Sequence, residues 1–235
     1  MSHFSTNPRA WLTTAIVAMA VLLHQGLPAA EAPAAARPKV LILGDSISMG
    51  YTGPVKKLLS EVADVSRPAE NCQHTGFGLK RIEAWIGKEK WDVIHFNWGI
   101  WDTHMLNEEG QIVRDEHDKT QKIRQRHSPE QYRKNLTELV TTMQAGGAKL
   151  VFATTTPFLR RTGDRLQAIP QLNEEAVAIM KANGVAVNDL YEFVLPSAAE
   201  WQGADKVHFN AKGNEQLGKR VSEEILKALD STTKK

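Results

Sequence analysis

Internal disulfides are excluded at the outset, because the chain holds a single cysteine, Cys72. The fold must therefore stand on its core without cross-links. A dominant charge sign is missing too: 29 Lys and Arg face 27 Asp and Glu, for a formal net charge of +2. No Lys/Arg run is interleaved with aromatics, so neither nucleic acid nor an anionic membrane is indicated as a partner. Among eight histidines no pair shows ligand spacing such as H-E-x-x-H, and neither a metal nor a cofactor is expected. His104, His117 and His127 read instead as members of a solvated loop.

What is present divides the 235 residues in two. Arg9 precedes an uncharged apolar run, Trp11–Leu23, followed by Gly26, Pro28 and alanines up to Ala36. That order resembles a secretory signal peptide. The run is shorter than the roughly 20 residues a membrane span needs, so the mature protein is expected to have no stable span. Residues 1–36 are thus expected to be a leader, cut near Ala30-Glu31-Ala32 or Ala32-Pro33-Ala34, and the protein to be periplasmic or secreted. Residues 37–235 are expected to form one domain, long enough for a substantial core at 42% hydrophobic content.

Within that domain apolar runs alternate with helical periodicity. Strands are expected at Lys39–Leu43, Asp64–Arg67, Trp91–Trp98, Lys149–Thr155 and Val185–Val187. Helices are expected at Pro54–Val62, from Leu79 to Ile86, from Ser128 to Gly146, at Leu172–Ala182 and after Asn210. Ser128, Pro129 and Gln131 make a capping box with proline in the first turn. This alternation predicts a three-layer α/β/α domain with a five-stranded parallel sheet, all strands ending on one edge. Thr103–His127 is polar and aperiodic, a length of loop that is usually functional. Deleting residues 108–122 from it is expected to alter substrate preference and leave the fold intact.

The chemistry sits at two distant places. Ser46 follows the buried run Val40–Leu43 and Gly44, at the strand end where open α/β sheets bind ligands. Alone, Gly44-Asp45-Ser46 is ordinary turn chemistry. Far along the chain, Asp205 and His208 lie three apart just before the last helix. A serine needs a base to take its proton, and the histidine needs an acceptor to fix its tautomer. The G-x-S-x-G elbow of α/β-hydrolases is absent.

Together Gly44-Asp45-Ser46-Ile47 and Asp205-x-x-His208 resemble the SGNH hydrolases, also called GDSL esterases and lipases. Asn71–Gly78 falls at that family's second block and Gly99-Ile100-Trp101-Asp102 at its third, and the resemblance runs from about Pro38 to Leu229. It implies a flavodoxin-like fold and ester hydrolysis through an acyl-enzyme. Ser46 would be the nucleophile, His208 the base and then acid, and Asp205 its orienting partner. The oxyanion hole would combine the Ser46 N–H, a second-block N–H from Gly76, Gly78 or Cys72, and a third-block asparagine. Here Trp101 stands where that asparagine belongs, so Asn97 is expected to donate instead. Asp45, Gly99, Trp101 and Asp102 are expected to line the substrate pocket. The expected substrate is a small-molecule or carbohydrate ester, O-acetyl groups on sugars above all. The alternatives are a noncatalytic carbohydrate-binding protein on the same scaffold, or an O-acyltransferase.

Overall fold

The computed structural model describes residues 36–233. The leader and its cleavage sites lie outside the described residues. Five strands form one parallel sheet: β1 (Lys39–Leu43), β2 (Asp64–Ser66), β3 (Val93–Phe96), β6 (Lys149–Ala153) and β7 (Ala186–Asn188), in spatial order β2-β1-β3-β6-β7. Between β3 and β6 a separate antiparallel pair, β4 (Met105–Leu106) and β5 (Arg124–Gln125), joins the two ends of the long polar segment. In the parallel sheet Leu43 lies opposite Phe96, Phe96 opposite Phe152, and Ala153 opposite Asn188. Four strands therefore stop level with one another, and the loops that follow them share one edge.

The alternation of side chains assigns each layer. Leu41, Leu43, Ile94, Phe96, Leu150 and Phe152 pack against α2 (Thr75–Ile86), α3 (Pro129–Ala145) and α4 (Ala168–Ala182). Val40, Ile42, Val93, Val151 and Ala153 face α1 (Ser46–Leu58) and α7 (Ala211–Thr233). Each fully buried Leu, Ile or Phe here contributes about 1.5–3 kcal/mol. Two polar residues interrupt the buried sheet, Asn188 on β7 and His95, which is fully buried on β3 and edge-on to Tyr51 at 6.1 Å. Burial pushes its imidazole down to about 3, so it packs as a neutral ring.

Three helices begin earlier than their sequence suggests, among them α4, which starts at Ala168 and not Leu172. Proline in a first turn is favoured, which is why Pro54 reads as a helix start. Instead α1 begins at Ser46, because the Asp45 carboxylate accepts the Ile47 N–H at 2.9 Å and caps it. Pro54 lies inside, where Gly218 of α7 meets it: a Cβ on that glycine would sit 2.5 Å from the proline Cβ. Likewise α2 starts at Thr75, not Leu79, with His74 as its cap. Two short helices, α5 (Leu190–Val194) and α6 (Ala198–Trp201), bridge the last strand to α7 and carried no periodicity long enough to read.

The long polar segment is tied down. Glu116, at its middle, takes hydrogen bonds from Arg161 at 3.0 and 3.1 Å and from Arg165 at 3.0 Å. Both arginines also donate to the Thr103 carbonyl. Deleting residues 108–122 would remove Glu116 and leave the buried Arg161 without its carboxylate. Breaking such a pair typically costs about 3–5 kcal/mol. The deletion is therefore expected to weaken the fold as well as alter the loop.

Candidate active site

Ser46 occupies the first position of α1, directly beyond β1. Gly44 precedes it because a Cβ there would stand 3.0 Å from both Cβ and Oγ of Ser48. From the other end of the chain comes the turn between α6 and α7. Gln202 and Phe209 bridge across it, the Gly203 N–H donates to the His208 carbonyl at 2.7 Å, and Gln202 Nε2 donates to the Pro157 carbonyl at 2.6 Å. Lys206 has φ +56°, a left-handed backbone unusual for a residue with a side chain. Within this turn Asp205 and His208 lie within hydrogen-bonding distance of each other.

Ser46 Oγ lies 2.8 Å from His208 Nε2, and His208 Nδ1 lies 2.6 Å from Asp205 Oδ2. The other carboxylate oxygen, Oδ1, accepts the N–H groups of Val207 and His208, each at 3.0 Å. The hydrogen bond from His208 holds the Asp205 carboxyl down at about 2. His208 is half-exposed, so the arrangement opens to solvent. Three residues distant in sequence form one continuous chain of hydrogen bonds at the sheet edge.

Around them several expectations need correction. Asn97 has no amide hydrogen to offer an oxyanion, since its Nδ2 donates to the Ala153 carbonyl at 2.7 Å and to Thr155 Oγ1 at 3.2 Å. The Gly78 N–H closes the first turn of α2 on the His74 carbonyl, and the Cys72 N–H donates to Gly44. Gly76 differs: its N–H has no acceptor among the described residues, as first-turn helix donors often lack one. The Ser46 N–H is free in the same way. Gly99 does not line a pocket, because Thr155 and Leu172 fill the space beside it. Asp45 points inward as the α1 cap. Asp102 is 0% exposed, its carboxylate covered by Thr75 and His127.

Trp101 is half-buried, with His104 edge-on at 5.6 Å and Arg126 over its ring at 5.8 Å. The indole N–H groups of Trp85, Trp91 and Trp98 all donate to protein acceptors, whereas that of Trp101 has none among the described residues. Sequence reasoning missed His74 and placed His127 in a solvated loop. In the structure His127 docks on Asp102 at 2.7 Å, a pairing no sequence spacing signals. No group of residues able to hold a metal occurs among the described residues, nor is any described helix long and apolar enough to cross a membrane.

Burial pushes the Asp45 carboxyl up to about 6. Because the folded state then holds the proton more tightly than the unfolded chain, stability falls as pH rises from about 4 through 6. The loss is at most about 3 kcal/mol. An asparagine keeps the cap oxygen and cannot ionise. Urea midpoints of Asp45→Asn should match the parent at pH 4 and exceed it at pH 8; parallel pH curves for the two proteins would contradict this.

A doubly covered parallel sheet with this constellation on its edge, and no nucleophile elbow, defines a hydrolase of the SGNH type. The chain belongs to the GDSL-like Lipase/Acylhydrolase family, whose profile matches residues 42–216 and so spans both Ser46 and the Asp205–His208 turn. Solved structures share the fold. A lipase/acylhydrolase from Enterococcus faecalis is 24% identical with TM-score 0.63, covering 80% of this chain and 95% of its own. The acetyl xylan esterase AlAXEase is 15% identical with TM-score 0.63, covering 80% and 99%. A variant of Axe2, an acetyl-xylooligosaccharide esterase from Geobacillus, is 19% identical with TM-score 0.63, covering 80% and 94%. No curated protein matches the chain.

Proposed function

We propose that the protein is an exported serine esterase that removes acyl groups, foremost O-acetyl groups of carbohydrates, through an acyl-serine. The observation that carries this reading is the unbroken chain Ser46–His208–Asp205. Ser46 Oγ attacks the ester carbonyl as His208 Nε2 takes its proton, and the same proton passes to the departing alcohol. Water then repeats the sequence on the acyl group and frees Ser46. Asp205 holds the proton on Nδ1, so Nε2 faces the serine with a lone pair. The free N–H groups of Ser46 and Gly76 receive the oxyanion, with the unpartnered indole N–H of Trp101 as the remaining donor. Two of the structurally similar proteins act on acetylated xylan or xylo-oligosaccharides, which supports the choice of substrate. The leader-like N-terminus supports export.

The test is to express the full chain in a bacterial host, recover processed protein outside the cytoplasm, and treat it with a fluorophosphonate. One phosphonyl group on the Ser46 peptide, with loss of acetate release from acetylated xylan, is the expected result. An unmodified Ser46 in a protein that still releases acetate would sink the acyl-serine reading, and retention of the intact chain in the cytoplasm would sink export.

A further inference from the structure

A second aspartate–histidine pair, which the reaction above does not use, joins the loop after β3 to the end of the long polar segment. Asp102 accepts the Thr75 N–H at 3.1 Å, the Thr75 hydroxyl at 2.5 Å and His127 Nδ1 at 2.7 Å. Asn135 Nδ2 in turn donates to the Thr75 hydroxyl at 3.0 Å, which fixes that hydroxyl's direction. An ionised carboxylate can only accept, so His127 Nδ1 carries a proton, and in the neutral tautomer Nε2 is left with a lone pair. That Nε2 has no partner among the described residues. The ring is only 16% exposed, held in place rather than waving in solvent.

His74 complements it. Its Nδ1 accepts the Phe77 N–H at 3.2 Å, which puts the proton on Nε2. Burial, aided by nearby Arg126, lowers this imidazole to about 4, so it stays neutral and remains a donor. The two rings meet edge to face at 5.0 Å. Beneath both is Gly76, where a Cβ would stand 3.2 Å from His127 Nε2 and 3.3 Å from His74 Nδ1. Gly76 also carries the free N–H described above, and its segment is hydrogen-bonded to Gly44, two residues before Ser46.

One fixed acceptor and one fixed donor suit a group that can both give and take a proton. An anion would meet the His127 lone pair, and a metal would meet the His74 proton. A hydroxyl satisfies both. We propose that His127, positioned by Asp102, and His74 form a subsite for a hydroxyl on the alcohol half of the ester, selecting acylated sugars over simple esters. This rests on the esterase reading and names its specificity.

The probes are a monoacetylated methyl xyloside, which keeps free hydroxyls, and p-nitrophenyl acetate, whose leaving group has none. His127→Phe keeps a ring and loses Nε2, and His74→Asn keeps a capping oxygen and loses the ring N–H. Each should lower kcat/KM on the xyloside about 10- to 100-fold and change p-nitrophenyl acetate by less than about 3-fold. Equal losses on both substrates would assign the histidines to the acyl reaction or the fold and overturn the subsite, as would no loss on either. A parent that cleaves p-nitrophenyl acetate but no acetylated sugar also overturns it, while leaving the esterase intact. A parent inert on both and unlabelled by fluorophosphonate marks failure of the underlying esterase reading instead.

Discussion

Replacing Ser46 by alanine is expected to lower kcat on p-nitrophenyl acetate by roughly 10⁴–10⁶-fold, with little change in stability. The size follows from the loss of covalent catalysis altogether, since His208 would then face a methyl group. No neighbour can take over. Ser48, two residues on, is buried and donates its hydroxyl to the Asp45 carbonyl at 2.7 Å. The fold should be indifferent, because among the described residues the Ser46 hydroxyl hydrogen-bonds only to His208, and the α1 cap belongs to Asp45. Initial rates at matched folded concentration, with unfolding midpoints beside them, check both halves. A variant keeping a tenth or more of parental kcat would show that Ser46 is not the nucleophile.

Much of this architecture was legible because the sheet is buried on both faces. Strands in that position read as continuous apolar runs, as β1, β3 and β6 do, while the short edge strands β2 and β7 were placed by the alternation with helices, each within a few residues. Ser46, Asp205 and His208 were legible for a different reason: residue types matched to one reaction stood at a strand end and in a short turn. What stayed hidden depends on pairing across the chain. Asp102 and His127 meet only because β4 and β5 bring back a segment without periodicity. Glu116 looked like one more loop charge until Arg161 and Arg165 closed on it. Asn97 is the converse case, since its place just past β3 suggested a free amide. Only the neighbouring strand end, at Ala153 and Thr155, shows that its hydrogens are taken.

Asp205→Asn is the sharper test of how the three side chains cooperate, with an expected fall in kcat of about 10⁴-fold. In the parent, Oδ1 accepts two backbone N–H groups and Oδ2 accepts His208 Nδ1–H. An asparagine must turn its carbonyl oxygen towards the backbone donors, because its NH₂ would otherwise confront them. That leaves the NH₂ facing His208 Nδ1, which then serves as acceptor, and the ring proton moves to Nε2. The imidazole now donates towards Ser46 and can no longer take its proton. Geometry and binding are kept, so the loss should fall on kcat with KM little altered. Acidity separates this from a general weakening. The parental carboxylate, held at about 2 by His208, stays charged throughout pH 4–9 and cannot produce a rate change there. Its contribution to folding is likewise present above about pH 4 and fades only as pH falls through about 2. Asp205→Asn should therefore unfold like the parent in mildly acidic buffer once that carboxylate's modest, solvent-screened contribution is allowed for. A fall in kcat under about 10-fold would mean that Asp205 merely shapes the turn, and that His208 selects its tautomer without it.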